Sequence, residues 1–94
     1  MADTVRWGVV GSGGVARRRT IPEGIMQADN ASLVAVYDVD ARVNREVAEE
    51  FGAEAAADLD GLLAADIDAV YIATPAVFHL EQAVAAARAG KHVL

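Results

Sequence analysis

Near its start the chain carries a cluster of glycines between an apolar run and three arginines, and this arrangement is suited to binding a phosphate group. The cluster reads Gly11-Ser12-Gly13-Gly14-Val15-Ala16, a G-x-G-x-x-A pattern. In such a pattern Gly11 permits a tight turn, Gly13 lets the backbone approach a pyrophosphate, and Ala16 allows close helix–strand packing. The amides and the dipole of a helix that opens at about Val15 attract the anion. The pattern therefore predicts a pyrophosphate-binding loop; a plain flexible turn is the alternative.

An acidic residue follows at the spacing that a dinucleotide site requires. Asp38 ends the second strand-like run, about 20 residues after Ala16, where a carboxylate accepts a hydrogen bond from a ribose hydroxyl. A carboxylate at this place repels the 2′-phosphate of NADP. We therefore expect a dinucleotide as the cofactor and, of the two nicotinamide dinucleotides, a preference for NAD. Arg42 lies close enough in sequence to leave NADP, or the use of both, open.

The composition limits the classes of partner. The net charge of −6 argues against a general nucleic-acid or anionic-membrane binder. No apolar run approaches the roughly 20 residues that span a bilayer, and no export signal precedes the glycines, so we expect a cytoplasmic protein. The absence of cysteine excludes a disulfide frame and a thiolate site. The two histidines have no ligand cluster in the sequence, so we expect no metal site.

Strand-like and helix-like segments alternate along the chain. Apolar runs predict strands at 5–10, 33–37, 53–56 and 69–74, and the final KHVL predicts the opening of a fifth. Between them we expect a helix from Val15 that Pro22 kinks or divides, and a helix over 41–51 that Asp40 caps at its start and Gly52 ends. A short helix follows Asp58. The last helix ends at Gly90 and has apolar residues at helical spacing, namely Val77, Leu80, Val84 and Ala87. This alternation predicts a parallel sheet in a doubly wound α/β fold of about five strands.

The last part of the chain, AVYIATPAVFHLEQAVAAARAGKHVL (residues 69–94), closely resembles a segment of the glucose-fructose oxidoreductase, inositol dehydrogenase and rhizopine catabolism protein family. In that family a fourth strand ends in a Thr-Pro turn, and a His and a helix follow before a Gly-Lys-His-Val strand start. The glycine loop and Asp38 occur in the family's order and spacing, so the resemblance covers essentially the whole chain. It implies the N-terminal, NAD(P)-binding part of a Rossmann fold.

The resemblance also implies roles for residues after the fourth strand. Thr74 and Pro75 would lie along the dinucleotide at the carboxyl edge of the sheet, and His79 would lie near its nicotinamide half. An exposed polar residue in the first turn of a helix is the alternative for His79. Ala76 stands where the family often has an asparagine, so one polar contact of the family's site is in question.

In the family, the strand that begins at KHVL leads into a Glu-Lys-Pro segment whose lysine transfers the proton. Because the sequence ends at Leu94, we expect that lysine and the substrate-binding α+β domain beyond this residue, and no catalytic residue within 1–94. The expected organisation is an incomplete dinucleotide-binding domain over 1–94.

The function expected from the resemblance is the cofactor-binding part of an NAD(P)-dependent oxidoreductase of a sugar, polyol or related CH–OH substrate. The 94-residue chain alone would be inactive, and the full-length parent would be a homo-oligomer. Two other classes stay open. A stand-alone nucleotide-binding module needs the same loop without catalysis. An S-adenosylmethionine methyltransferase fragment also uses a glycine loop and an acid after the second strand, but it leaves the Thr-Pro turn and the GKHV segment unexplained.

Overall fold

A five-stranded sheet forms the centre of the molecule. The computed structural model describes residues 4–14, 16–74 and 76–94. The strands are β1 at Val5–Val10, β2 at Ala31–Tyr37, β3 at Glu54–Ala55, β4 at Ala69–Ile72 and β5 at His92–Val93. They lie in the order β3-β2-β1-β4-β5, and each neighbouring pair is parallel. The predicted α/β fold with a parallel sheet of five strands is confirmed.

Helices connect the strands. They are a π-helix at Ala16–Ile25, α1 at Ala41–Phe51, α2 at Leu59–Ala64 and α3 at Ala76–Arg88. Asp40 caps α1 as predicted, because its side chain accepts hydrogen bonds from the amides of Arg42 and Val43. The same helix ends at Gly52, whose φ of 70° is left-handed. Local sequence signals therefore set both ends of α1.

Of the two effects predicted for Pro22, a kink or a division of the first helix, the division is wrong, because the π-helix continues through this residue to Ile25. The amide of Met26 donates to the carbonyl of Ile21, five residues before it, at 2.8 Å. In an α-helix a proline ring collides with the carbonyl four residues earlier. The wider π turn joins residues five apart, and the helix continues through the proline.

The strand bounds differ from the sequence prediction at three places. β2 begins at Ala31 because Ala31 and Ser32 pair with Val5 and Arg6 of β1, so pairing extends the strand beyond its apolar run. β3 is shorter than predicted, since only Glu54–Ala55 pairs with β2. β4 ends at Ile72, before the predicted end at Thr74.

Two apolar cores cover the two faces of the sheet. Neighbouring strand residues point to opposite faces, which places Val9 in one core and Val10 in the other. The first core lies under the π-helix and α1 and contains Val9, Ala16, Ile21, Ile25, Leu33, Val36, Val47 and Ala48. The second contains Val10, Ala35, Leu62, Leu63, Ile67, Val70 and Ala86. The sheet is thus covered by helices on both faces, as a parallel sheet requires.

An irregularity in β2 changes which face its last residues point to. Trp7 of β1 pairs with Leu33, but the next residue, Gly8, pairs with Ala35, so Val34 is extra in the ladder. Leu33 and Val36 consequently share a core although they are three residues apart. An extra residue of this kind shifts, by one position, the alternation of side chains between the two faces of the sheet. The bulge therefore sets the orientation with which β2 enters the loop after it.

The large apolar residues that predict α3 point away from the sheet. Val77 and Leu80 are 80% and 77% exposed, and Val84 is also exposed. Among the side chains of this helix that the structure describes, Ala86 is the buried one, in the second core. The helix itself is where the spacing predicts it.

Within the described ranges, no helix is both long enough and apolar enough to cross a membrane.

A charged cluster joins the start of β1 to the start of β4. The Arg6 guanidinium donates to both carboxylate oxygens of Asp68, at 3.1 and 2.9 Å, and the Arg6 amide donates to the same carboxylate at 2.9 Å. Asp66 forms a second ion pair with Arg6 at 2.6 Å. The hydrogen bonds from Arg6 lower the pKa of Asp68 from 3.8 to about 2. Both side chains are more than a third exposed, so solvent screens the pair.

This cluster predicts a pH dependence of stability. Because the pKa of Asp68 is lower in the folded chain, its stabilising contribution is present above pH 3.8 and is lost as the pH falls through about 2. We expect Asp68→Asn to lower the urea midpoint of unfolding at neutral pH, and the difference from wild type to disappear near pH 2. Asp29→Asn, in an exposed turn, is the control and should leave the midpoint unchanged. A difference between Asp68→Asn and wild type that stays constant with pH would contradict the assignment.

Candidate functional site

A crevice of about 510 Å³ lies at the carboxyl ends of β1, β2 and β4. It forms where the chain leaves β1 for β2 on one side while β4 lies on the other, the switch point at which ligands bind in open parallel sheets. The predicted residues Gly11, Gly13, Gly14, Asp38 and Thr74 all line it, and Tyr37, Phe78 and Gln82 line it as well. The fold therefore brings the glycine loop, the acid and the turn after β4 to one place.

Gly11 makes the turn from β1 into the loop. Its φ is 82°, and a Cβ at this position would lie 3.0 Å from the carbonyl carbon of Ala73 and from the amide nitrogen of Thr74. Both atoms belong to the backbone and cannot give way easily. Only glycine fits both the conformation and the space, which agrees with the role predicted for Gly11.

The first three amides of the loop are already paired within the protein. Those of Gly11 and Ser12 donate to the carbonyl of Tyr37 at 2.8 and 3.1 Å, and that of Gly13 donates to a carboxylate oxygen of Asp38 at 3.0 Å. For the Gly14 amide, in contrast, the described residues provide no acceptor. The first three amides thus shape the loop, and the amide suited to an anion is that of Gly14, next to the π-helix. Val15, the fifth predicted loop residue, lies outside the described residues.

Asp38 is held by two backbone amides at the edge of the crevice. One oxygen accepts from Gly13, and the other accepts from the amide of Asp40 at 3.0 Å. A carboxylate has about four lone-pair positions, so both oxygens can accept further bonds. A Cβ on Gly13 would lie 2.9 Å from the side chain of Val43 and 3.3 Å from Asp38. The absence of a side chain at Gly13 therefore lets the acid lie against the loop.

Thr74 forms hydrogen bonds with two residues of α3. Its hydroxyl donates to the side-chain oxygen of Gln82, and His79 Nε2 donates to its carbonyl oxygen. Thr74 and Gln82 line the crevice, whereas His79 is exposed and is not among the lining residues described. The placement of His79 near a nicotinamide stays a prediction, and Pro75 lies outside the described residues.

Ser12, the remaining predicted residue of the loop, is not among the described residues that line the crevice. It forms a buried polar pair with Asn44, a residue that the sequence prediction missed. Ser12 is fully buried, Asn44 of α1 is 3% exposed, and the Ser12 hydroxyl donates to Asn44 Oδ1 at 2.9 Å. Asn44 shares the buried side of α1 with Val47 and Ala48. Asn44 can be recognised in the sequence because it is a polar residue at the helical spacing that otherwise holds the apolar residues of the buried side.

A second cavity, of about 290 Å³, lies near the start of β1 and β2. Val5, Trp7, Ile25, Tyr71 and Leu94 are among its walls, and none of the described residues that line it is charged. The described walls of this cavity therefore present no positively charged side chain to an anionic ligand. Within the described ranges, no three His, Asp or Glu side chains come together as a metal site would require.

Comparison with known proteins agrees with this geometry. A model of the oxidoreductase family with an NAD-binding Rossmann fold matches residues 5–94. The chain is similar to the 1,5-anhydro-D-fructose reductase of Ensifer adhaerens, with 36% identity over 91 residues, 95% of this chain and 27% of that protein. It is also similar to the dTDP-3,4-didehydro-2,6-dideoxy-alpha-D-glucose 3-reductase of Actinomadura kijaniata, with 38% identity over 96 residues, 99% of this chain and 28% of that protein.

A solved structure shows the same fold. The chain superimposes on a 3-ketoreductase from Actinomadura kijaniata in complex with NADP, with a TM-score of 0.91 and 35% identity, over 98% of this chain and 29% of that one. The chain thus spans little more than a quarter of the length of these relatives. The match over residues 5–94 confirms the resemblance found in the sequence, and the chain belongs to the glucose-fructose oxidoreductase, inositol dehydrogenase and rhizopine catabolism protein family of oxidoreductases with an NAD-binding Rossmann fold.

Proposed function

We propose that this chain is the cofactor domain of an oxidoreductase that uses NAD or NADP, and that the dinucleotide lies in the crevice at the carboxyl ends of β1, β2 and β4. The observation that carries this proposal is the arrangement of polar groups along the crevice. The Gly14 amide, which has no acceptor among the described residues, lies where the π-helix begins, and Asp38 lies to one side with acceptor capacity left. An amide at a helix start suits a pyrophosphate, and a carboxylate suits ribose hydroxyls.

The residues of this chain bind and orient the cofactor. Gly14 donates to the pyrophosphate together with Val15, and Asp38 accepts from the adenosine ribose. Thr74 and Pro75 lie along the dinucleotide at the carboxyl edge of the sheet, and His79, which donates to the carbonyl of Thr74, lies near its nicotinamide half. When bound, the nicotinamide supplies the group that gives or takes a hydride.

We further propose that the substrate is a sugar, a polyol or a related CH–OH compound. The two relatives compared above are named for reductions of an anhydrofructose and a nucleotide-linked deoxysugar, which supports this class. We place the proton-transferring lysine and the substrate-binding domain in the part of the protein after Leu94, and we expect a cytoplasmic homo-oligomer. A Glu-Lys-Pro segment directly after Leu94 in the gene would support this organisation, and a stop codon there would contradict it.

Substitution at Gly13 tests the binding site. A valine side chain at this position collides with Val43 and Asp38 and enters the space that the pyrophosphate needs. We expect Gly13→Val to abolish measurable binding of NADH in calorimetric titration, with the far-ultraviolet circular dichroism nearly unchanged.

Gly24→Ala is the matched control for this experiment. Gly24 lies in the π-helix, and a Cβ there meets nothing within 4 Å, so this variant should bind NADH as the wild type does. If Gly13→Val also binds as tightly as wild type, the dinucleotide does not lie on the glycine loop.

The position of Asp38 predicts a preference for NAD. A 2′-phosphate at this place would lie beside the negative charge of the Asp38 carboxylate. To move away from it, the carboxylate would have to break its hydrogen bonds with the amides of Gly13 and Asp40. We expect NADH to bind at least about tenfold more tightly than NADPH, because like charges placed together are strongly unfavourable. Asp38→Ser should reduce this ratio, and dissociation constants from fluorescence titration measure it. The related 3-ketoreductase is seen with NADP, and tighter binding of NADPH here would contradict the preference.

A further inference from the structure

The side-chain amide of Asn44 joins three separate segments beneath the crevice. Its oxygen accepts from the Ser12 hydroxyl at 2.9 Å. Its nitrogen donates to the carbonyl of Val36 near the end of β2 at 3.2 Å and to the carbonyl of Ala56 just after β3 at 3.1 Å. Within the described residues, Ser12 and Asn44 are the two buried polar side chains. This amide is therefore a link between the glycine loop and the outer edge of the sheet.

The orientation of the amide follows from its partners. Two of them, Val36 and Ala56, present carbonyl oxygens, which only accept hydrogen bonds, so the nitrogen must face them. The oxygen then faces Ser12, whose hydroxyl acts as the donor. A reversed amide would place an oxygen against two other oxygens. Both N–H donors and the oxygen of the Asn44 side chain thus have partners in this one arrangement.

The link fixes the loop at the residue between its first two glycines. The Ser12 amide donates to Tyr37 at 3.1 Å, and its hydroxyl donates to Asn44 at 2.9 Å. Ser12 is therefore held through both its backbone and its side chain. The next residues are Gly13, whose amide donates to Asp38, and Gly14, which lines the crevice and whose amide has no acceptor among the described residues. A rotation of Ser12 would turn both of these amides.

We propose that Asn44 is a positioning residue for the dinucleotide, acting through Ser12 to hold the Gly14 amide in the orientation that receives the pyrophosphate. This inference rests on the proposed function, since it assumes that the loop binds a dinucleotide. Neither side chain reaches the ligand, because both are buried. The effect on binding is transmitted by the backbone between Ser12 and Gly14.

The test compares NADH dissociation constants of the purified intact protein and its variants, at a temperature where circular dichroism finds all of them folded. We expect Ser12→Ala and Asn44→Ala each to weaken binding by about three- to tenfold, the range of one hydrogen bond. Since both variants remove the same bond, the double variant should bind no more weakly than the weaker-binding single variant, within about twofold.

Val47→Ala is the control, because Val47 is fully buried one turn further along α1 and belongs to the apolar core. It should lower the unfolding midpoint, as a core truncation does, and leave the dissociation constant unchanged. If Ser12→Ala and Asn44→Ala lose stability but bind NADH as wild type does, Asn44 has only a structural role and the inference is wrong. The inference is equally wrong if Val47→Ala weakens binding to the same extent as these two variants. A wild-type protein that does not bind NADH would overturn the proposed function itself.

Discussion

The site depends on two hydrogen bonds to the carbonyl oxygen of Tyr37, the last residue of β2. The amides of Gly11 and Ser12 both donate to this oxygen. They fasten the end of β1 to the end of β2 at the point where the chain turns into the glycine loop. The next residue, Asp38, continues the pattern by accepting from Gly13 and from Asp40. Two consecutive residues thus fix the first three amides of the loop, and the acid reaches the crevice as part of the same arrangement.

The proposed anion site is built from backbone amides, in a chain whose net charge is −6. Two of the arginines that follow the loop form ion pairs with other parts of the chain. Arg17 pairs with Glu46 and Glu50 of α1, and Arg19 pairs with Glu23. Amides at the start of a helix attract a phosphate without a basic side chain. On this proposal, an acidic chain offers a local site for a dinucleotide without a basic side chain in that site.

The sequence predicts those features that depend on residues near each other in the chain. Gly11 at its turn and Asp40 at the start of α1 are local signals, and the strand and helix order follows from regular alternation. The path through Pro22 depends on a change to π-helical bonding that propensity does not reveal. The bulge at Val34 depends on pairing with β1, and the role of Asn44 depends on three segments that meet only in the folded chain.

The strand order has a consequence for how the chain reaches its fold. β1 is central, and its first partner, β2, follows soon after it in sequence, whereas its second partner, β4, begins at Ala69. During synthesis, one edge of β1 therefore stays unpaired until β4 has emerged. Contacts between distant parts of a sequence form slowly, and an exposed strand edge is a site where chains associate wrongly. The crevice between β1 and β4 is thus completed late, and the nascent chain is exposed to misassembly until then.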